Sequence, residues 1–164
     1  MQKLKPSADS HPVLLTGATG FIGQHLQRRL IGDGYRLRAV IRPDSTSRQA
    51  LSPACEVVAA DLTDRPALAG AVDGVRAVVY CAGTVRGRRY EDFVAANVVG
   101  VQRVLEALRK AGGSAPFLLL SSLAAGRPEL SHYARSKFAG EQVLESYPDL
   151  CWSILRPPAV YGPG

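Results

Sequence analysis

Residues 12–23 read Pro12-Val13-Leu14-Leu15-Thr16-Gly17-Ala18-Thr19-Gly20-Phe21-Ile22-Gly23, and this stretch decides the fold. A short apolar run ends at Thr16 and a Gly-Ala-Thr-Gly turn follows. Apolar residues then recur at 21, 22, 26 and 30, the period of a helix. A strand that feeds a helix through a glycine-rich turn opens a βαβ unit. Glycine at 17, 20 and 23 permits a tight turn, close approach of backbone to a ligand, and close packing of helix on strand. The first turn of such a helix offers unpaired N–H groups and a partial positive charge, which suits a pyrophosphate. Gly17, Thr19, Gly20, Phe21, Ile22 and Gly23 are therefore the candidate phosphate cradle. The bland alternative is a glycine-rich turn with no ligand.

Working outward, strands and helices alternate. Leu37 to Ile41 reads as a second strand, Val57 to Ala60 as a third, Ala77 to Cys81 as a fourth, Phe117 to Leu120 as a fifth and Trp152 to Leu155 as a sixth. Helical patterning covers Pro66 to Val72, Val94 to Ala111 and Tyr133 to Leu144. Apolar strands separated by helices predict an α/β fold. It is a doubly wound, Rossmann-like parallel sheet of about six strands, covered on both faces by right-handed crossovers. Its ligand belongs at the carboxyl ends of the strands, where strand order reverses. The domain organisation is a polar lead-in over residues 1–11 and one dinucleotide-binding domain over 12–164. The stretch 42–54, rich in Ser, Pro and charge, is expected to be the mobile one.

Composition agrees. The chain has 164 residues, 46% hydrophobic and 21% charged, which fits one soluble globular domain and leaves no room for two. No apolar run reaches the roughly 18–20 residues of a membrane-spanning helix, and no apolar segment backs the N-terminal lysines as in a signal peptide. Cys55, Cys81 and Cys151 are odd in number and widely spaced, which argues for reduced thiols in a cytoplasmic protein and against a zinc site. The net charge of +6 comes from 16 Arg against 4 Lys. The arginines are scattered, with no basic stripe interleaved with aromatics, so no nucleic-acid or membrane partner is expected. They are either a solvated surface or, in part, partners for phosphate.

A second constellation carries proton chemistry. Tyr133-Ala-Arg-Ser-Lys137 puts a phenol and an ammonium four residues apart on one helix face. A cation beside a phenol favours phenolate, and a phenol so placed can exchange a proton with a carbonyl or alcohol. The alternative is an amphipathic helix with a half-buried tyrosine and a solvated lysine. Ser121-Ser122 closes the fifth strand, where a hydroxyl can reach a reacting oxygen or else merely cap a turn. At the end of the second strand, where an acid would bind a ribose 2′-hydroxyl, stands Arg42. A cation there suits a 2′-phosphate, which favours NADP(H) over NAD(H). Ser45 and Arg48 are possible helpers, and Asp44 is the countersignal. Thr84-Val-Arg-Gly-Arg-Arg89 could hold an anion or be a solvated tip, and His132 is set aside because helix neighbours diverge.

The ordered set of motifs resembles the extended short-chain dehydrogenase/reductase superfamily, in its NAD(P)-dependent epimerase/dehydratase branch. The residues that carry the resemblance are Thr16 to Gly23, Asp61-Leu62, Cys81-Ala82-Gly83, Asn97 to Gly100, Ser121-Ser122, Tyr133-x-x-x-Lys137 and Arg156 to Gly164. The resemblance implies hydride transfer at a carbonyl or alcohol of a small-molecule substrate, with Tyr133 as acid/base. Ser122 would orient the substrate oxygen, with Ser121 as fallback, and Lys137 would bind the nicotinamide ribose. Asp61 and Leu62 would hold adenine, Ala82 and Gly83 would pass over the ribose, and Pro157 to Val160 would line the nicotinamide. Asn97 would be structural. Extended members run considerably longer than Gly164, so this resemblance covers only the cofactor half. From that, either homo-oligomerisation across the exposed sixth strand or marginal stability is expected. A non-catalytic dinucleotide-binding module is the competing expectation.

Overall fold

Val13 to Thr16 form β1, and every one of these residues is buried. Pairing is parallel on both sides: Val13 sits opposite Leu37 of β2 (Leu37–Ile41) and opposite Ala77 of β4 (Ala77–Tyr80). β3 (Cys55–Ala59) extends the sheet beyond β2, while β5 (Phe117–Leu120) and β6 (Trp152–Leu155) extend it beyond β4. The order is 3-2-1-4-5-6, all parallel, so strand order reverses between β1 and β4. This computed structural model describes residues 11–113 and 115–163. The expected polar lead-in lies outside them except for His11, whose ring nitrogen is 2.8 Å from the Gly74 carbonyl.

The period-two alternation of the strands divides the core. Leu14, Val40, Val78, Tyr80, Phe117 and Leu119 face one side and pack with residues of α2 (Arg65–Val72), α4 (Gly100–Lys110) and α5 (His132–Glu145). Val13, Leu15, Leu37 and Ala39 face the other side, against Leu26 and Leu30 of α1 (Phe21–Gly32). On the flank beside β5 and β6, Leu118 and Leu120 are only half-buried and Leu155 is exposed. No helix among the described residues is long and apolar enough to cross a membrane.

Three features differ from the sequence reading by more than a single end residue. β3 begins two residues earlier, at Cys55, because pairing with β2 fixes its register: Leu37 is opposite Cys55 and Ile41 opposite Ala59. The stretch 42–54 contains a 3-10 turn at Arg48–Ala50 and is tied down by one side chain. Buried Gln27 of α1 donates to the Ala18 carbonyl at 2.6 Å and accepts from the Ser52 amide at 2.9 Å.

The third difference concerns the long helix expected over 94–111. It begins at α3 (Glu91–Val94) and passes through a π-turn, Ala95–Val99, before α4. Wider winding there releases backbone carbonyls that need other donors. The hydroxyl of buried Tyr80 donates to the Ala96 carbonyl at 2.6 Å. That ring leaves no room for a side chain at Gly100, whose β-carbon would lie 2.2 Å from the Tyr80 oxygen. Burial pushes the Tyr80 phenol far above its ordinary value, so it remains a donor.

α5 lies across the same turn, and a β-carbon on Gly140 would come within 2.2 Å of the Asn97 carbonyl. Gly140→Ala is therefore expected to destabilise the fold by about 1–3 kcal/mol through overpacking. Gly70→Ala in α2, where nothing lies within 4 Å of the added carbon, should be neutral or stabilising by up to about 1 kcal/mol. Urea denaturation of both variants checks the contrast.

Candidate active site

The turn after β1 is held against the end of β4 by backbone contact. A β-carbon on Gly17, whose φ is +66°, would lie 2.6 Å from the Ala82 amide nitrogen. Buried Thr16 fixes the same spot, its hydroxyl accepting from the Ala82 N–H at 3.1 Å. Gly23 packs α1 onto the turn so closely that a β-carbon would fall 2.1 Å from the Gly17 carbonyl. Gly20 caps α1 in extended conformation with no side-chain hydrogen bond, which leaves the helix end open to an anion.

Two adjoining clefts open on either side of this turn and share Gly17, Gly20, Cys81 and Gly83. The smaller, about 400 Å³, reaches toward the ends of β2 and β3 and is lined by Thr19, Arg42, Asp61, Leu62 and Ala82. Ser45 also lines it, whereas Arg48 and Asp44 do not. Asp61 accepts from the Thr63 hydroxyl at 2.6 Å and the Thr63 amide at 2.8 Å. Those bonds, with a smaller contribution from the Arg42 cation, hold its carboxyl below the usual value.

The larger cleft, about 1270 Å³, runs past the ends of β4 and β5 to the segment after β6. Phe21, Ile22 and Gly23 line its near wall, and Ser122, Tyr133, Lys137, Pro157 and Val160 line the rest. Apart from the possible helper Arg48, every residue singled out from sequence as catalytic or cofactor-binding thus borders one cleft or the other. Ser131 caps α5 by accepting from the Ala134 amide at 3.0 Å, which sets Tyr133 in the first turn and Lys137 one turn on. Lys137 is buried and donates to the Leu120 carbonyl at 3.0 Å. Burial lowers its pKa, opposed by the nearby Cys81 and Glu141. Cys81 is pushed up to about 12 by burial, so its thiol stays protonated. The Ser122 hydroxyl accepts from the Ala124 amide at 3.2 Å, which leaves its own proton to donate.

Ser121, the fallback from sequence, is committed elsewhere: its buried hydroxyl donates to Glu141 of α5. Asn97 joins the loop after β4 to α5. Its amide donates to the Thr84 carbonyl at 3.1 Å and to Ser136 at 2.9 Å, while its oxygen accepts from the Thr84 amide at 3.0 Å. His132, set aside from the sequence, borders a side cavity together with Tyr133, Phe93 and Arg135. Sequence reading missed Glu141 and the part played by Arg156. Arg156 Nε donates to Glu141 at 2.9 Å, and this pair fixes the start of the 157–160 segment against α5. Only the spacing of Glu141 four residues beyond Lys137 could have drawn notice.

With this geometry in hand, likeness to known proteins is informative. The model of the NAD-dependent epimerase/dehydratase family matches residues 13–164. The chain belongs to that family. It is 43% identical over 152 residues to a ceramide reductase of Caulobacter vibrioides, covering 93% of this chain and 47% of that protein. It is 33% identical over 151 residues to a uronate dehydrogenase of Pseudomonas putida, covering 84% and 55%. The crystal structure of the Bordetella bronchiseptica enzyme WbmG in complex with NAD superposes with a TM-score of 0.77 at 26% identity, covering 94% of this chain and 55% of that one. The chain thus spans about half the length of the family relatives it matches.

The Glu141–Arg156 pair is asymmetric, with Glu141 1% exposed and Arg156 43% exposed. Arg156→Met, which strands a buried carboxylate, should cost about 2–4 kcal/mol. Glu141→Gln, which keeps a hydrogen-bonding isostere and lets the arginine turn to water, should cost about 1–2 kcal/mol. Denaturant midpoints of the two variants test the order.

Proposed function

We propose that this chain is the cofactor-binding part of an NAD(P)-dependent oxidoreductase or epimerase acting at a carbonyl or alcohol, with NADP(H) preferred over NAD(H). One observation carries the reading: Ser122 and Tyr133 with Lys137, from two different elements, line the cleft into which the glycine turn opens. The residues fit an elongated dinucleotide. Gly17 and Gly23 bring backbone where side chains would collide, the uncapped end of α1 accepts a pyrophosphate, and a cleft extends to each side for the two halves. The reductase and dehydrogenase relatives and the NAD complex of WbmG support the same class.

A bound nicotinamide supplies or accepts the hydride. Tyr133 gives a proton to the substrate oxygen, or takes one from it, while the Ser122 hydroxyl keeps its proton and hydrogen-bonds that oxygen. Lys137 reaches ribose hydroxyls and stabilises negative charge on the phenol oxygen. Arg42, with Ser45 beside it in the smaller cleft, meets a 2′-phosphate, and Asp61 and Leu62 meet the adenine. Three free cysteines fit a reducing, cytoplasmic setting.

Calorimetric titration with NADPH and NADH tests the cofactor assignment. NADPH should bind about 10–100-fold more tightly, the worth of a charge-assisted contact to phosphate, and Arg42→Asp should abolish the preference. No saturable binding of either would overturn the reading. In a carbonyl-reduction assay Tyr133→Phe should lower kcat by about 10²–10⁴-fold with NADPH affinity unchanged. Full turnover would remove Tyr133 from the chemistry.

Because the pKa of Lys137 is depressed, its charge is complete at low pH and is lost as pH rises through a value below the usual 10.5. NADPH affinity should fall along that alkaline limb, and Lys137→Arg, which stays charged, should flatten it.

A further inference from the structure

The larger cleft differs from the rest of the surface in two ways. Six large apolar side chains are exposed among the described residues, and four of them line this cleft: Val85 at 69% exposed, Leu123 at 62%, Leu130 at 68% and Val160 at 50%. Single exposed apolar residues are ordinary, whereas a group of them around one cleft marks a binding surface. Among the described residues that line it, the charged ones are cations: Arg86, Arg127 and Lys137. Lys137 lies deep and donates to Leu120, so the two arginines are the charges offered to whatever enters.

The apolar and cationic groups are interleaved on two loops. Val85 and Arg86 are adjacent after β4, and Leu123, Arg127 and Leu130 follow β5. A sugar acid would use the arginines and leave Val85, Leu123 and Leu130 in water. An uncharged hydrocarbon would cover the apolar side chains and offer nothing to Arg86 and Arg127. An amphiphile satisfies both.

Resting on the reading of Tyr133 as the proton-transfer residue, we propose that the substrate is an anionic amphiphile. It is a carbonyl or alcohol compound whose alkyl chain lies on Val85, Leu123 and Leu130, and whose phosphate or carboxylate is held by Arg86 and Arg127. The guanidinium fork matches either anion in bidentate fashion.

The test is calorimetric titration of the chain, with and without saturating NADPH, using butyl, hexyl and octyl phosphate below their micelle concentrations. Hexanol and octanol are the uncharged controls, and glucuronate is the sugar-acid control. Affinity for the phosphates should rise about three- to fourfold for each added methylene. The double variant Arg86→Ala with Arg127→Ala should weaken octyl phosphate tenfold or more and leave octanol unchanged, while Leu123→Ser with Leu130→Ser should flatten the chain-length dependence. Retained NADPH binding reports that each variant is folded. Affinity indifferent to chain length overturns the proposal, as does tighter binding of glucuronate. So does light scattering showing a dimer that the leucine changes dissociate while ligand affinity is unaltered, because the apolar lip then belongs to a second copy. Octyl phosphate binding that follows the expected pattern, with no loss of turnover in Tyr133→Phe, would sink the acid/base reading and leave the substrate class standing.

Discussion

The close approach of two backbones, at Gly17 and at Cys81–Ala82, is the constraint on which the rest of the site depends. A methyl group at position 17 would collide with the Ala82 amide, and the Thr16 hydroxyl ties the same amide down. Because the β1 turn and the β4 end meet this tightly at the point of strand-order reversal, the loops on either side must part, and the two clefts are what parting leaves. The packing of Gly23 on the Gly17 carbonyl then aims the open end of α1 at the junction between them.

A second layer of support lies behind the candidate side chains Ser122, Tyr133 and Lys137. Glu141 gathers three elements at one buried carboxylate: Ser121 from the end of β5, Arg156 from the end of β6, and its own helix α5. Lys137 is anchored one turn earlier on that helix to the Leu120 carbonyl. Asn97 plays the corresponding part on the other side, joining Thr84 to Ser136 through three hydrogen bonds. Tyr133 therefore stands on a helix braced from both flanks, with Phe93 packed edge-to-face on its ring. Groups held this way stay close to a working geometry without reorganising, which is what positioning contributes to a reaction.

Much of this was legible in the sequence, for identifiable reasons. The apolar runs of β2, β5 and β6 are bounded by turn residues, so their limits could be read directly. The glycine turn and the Tyr133–Lys137 spacing are local patterns with local geometric meaning. What could not be read depends on partners distant in the chain. The π-turn exists because Tyr80, from another strand, supplies a hydroxyl to the Ala96 carbonyl, and nothing in residues 94–100 announces that donor. β3 starts where register with β2 dictates. Gln27 is a polar residue of α1, yet it is buried and holds the 42–54 stretch in place. The same limit applied to Ser121 and Ser122. They are identical in type and adjacent, and only the position of Glu141 shows which hydroxyl is already taken.

The shared floor of the two clefts sets how a ligand is counted. A short molecule that fills only one of them bears the whole loss of translational and rotational freedom for a modest contact area. A molecule long enough to cross the Gly17–Gly20 floor bears that loss once, and its second half then meets its subsite at the millimolar effective concentrations typical of tethered groups. Separate fragments of a bridging ligand should therefore bind far more weakly than the intact molecule, by a margin that no inventory of contacts in either cleft would reveal.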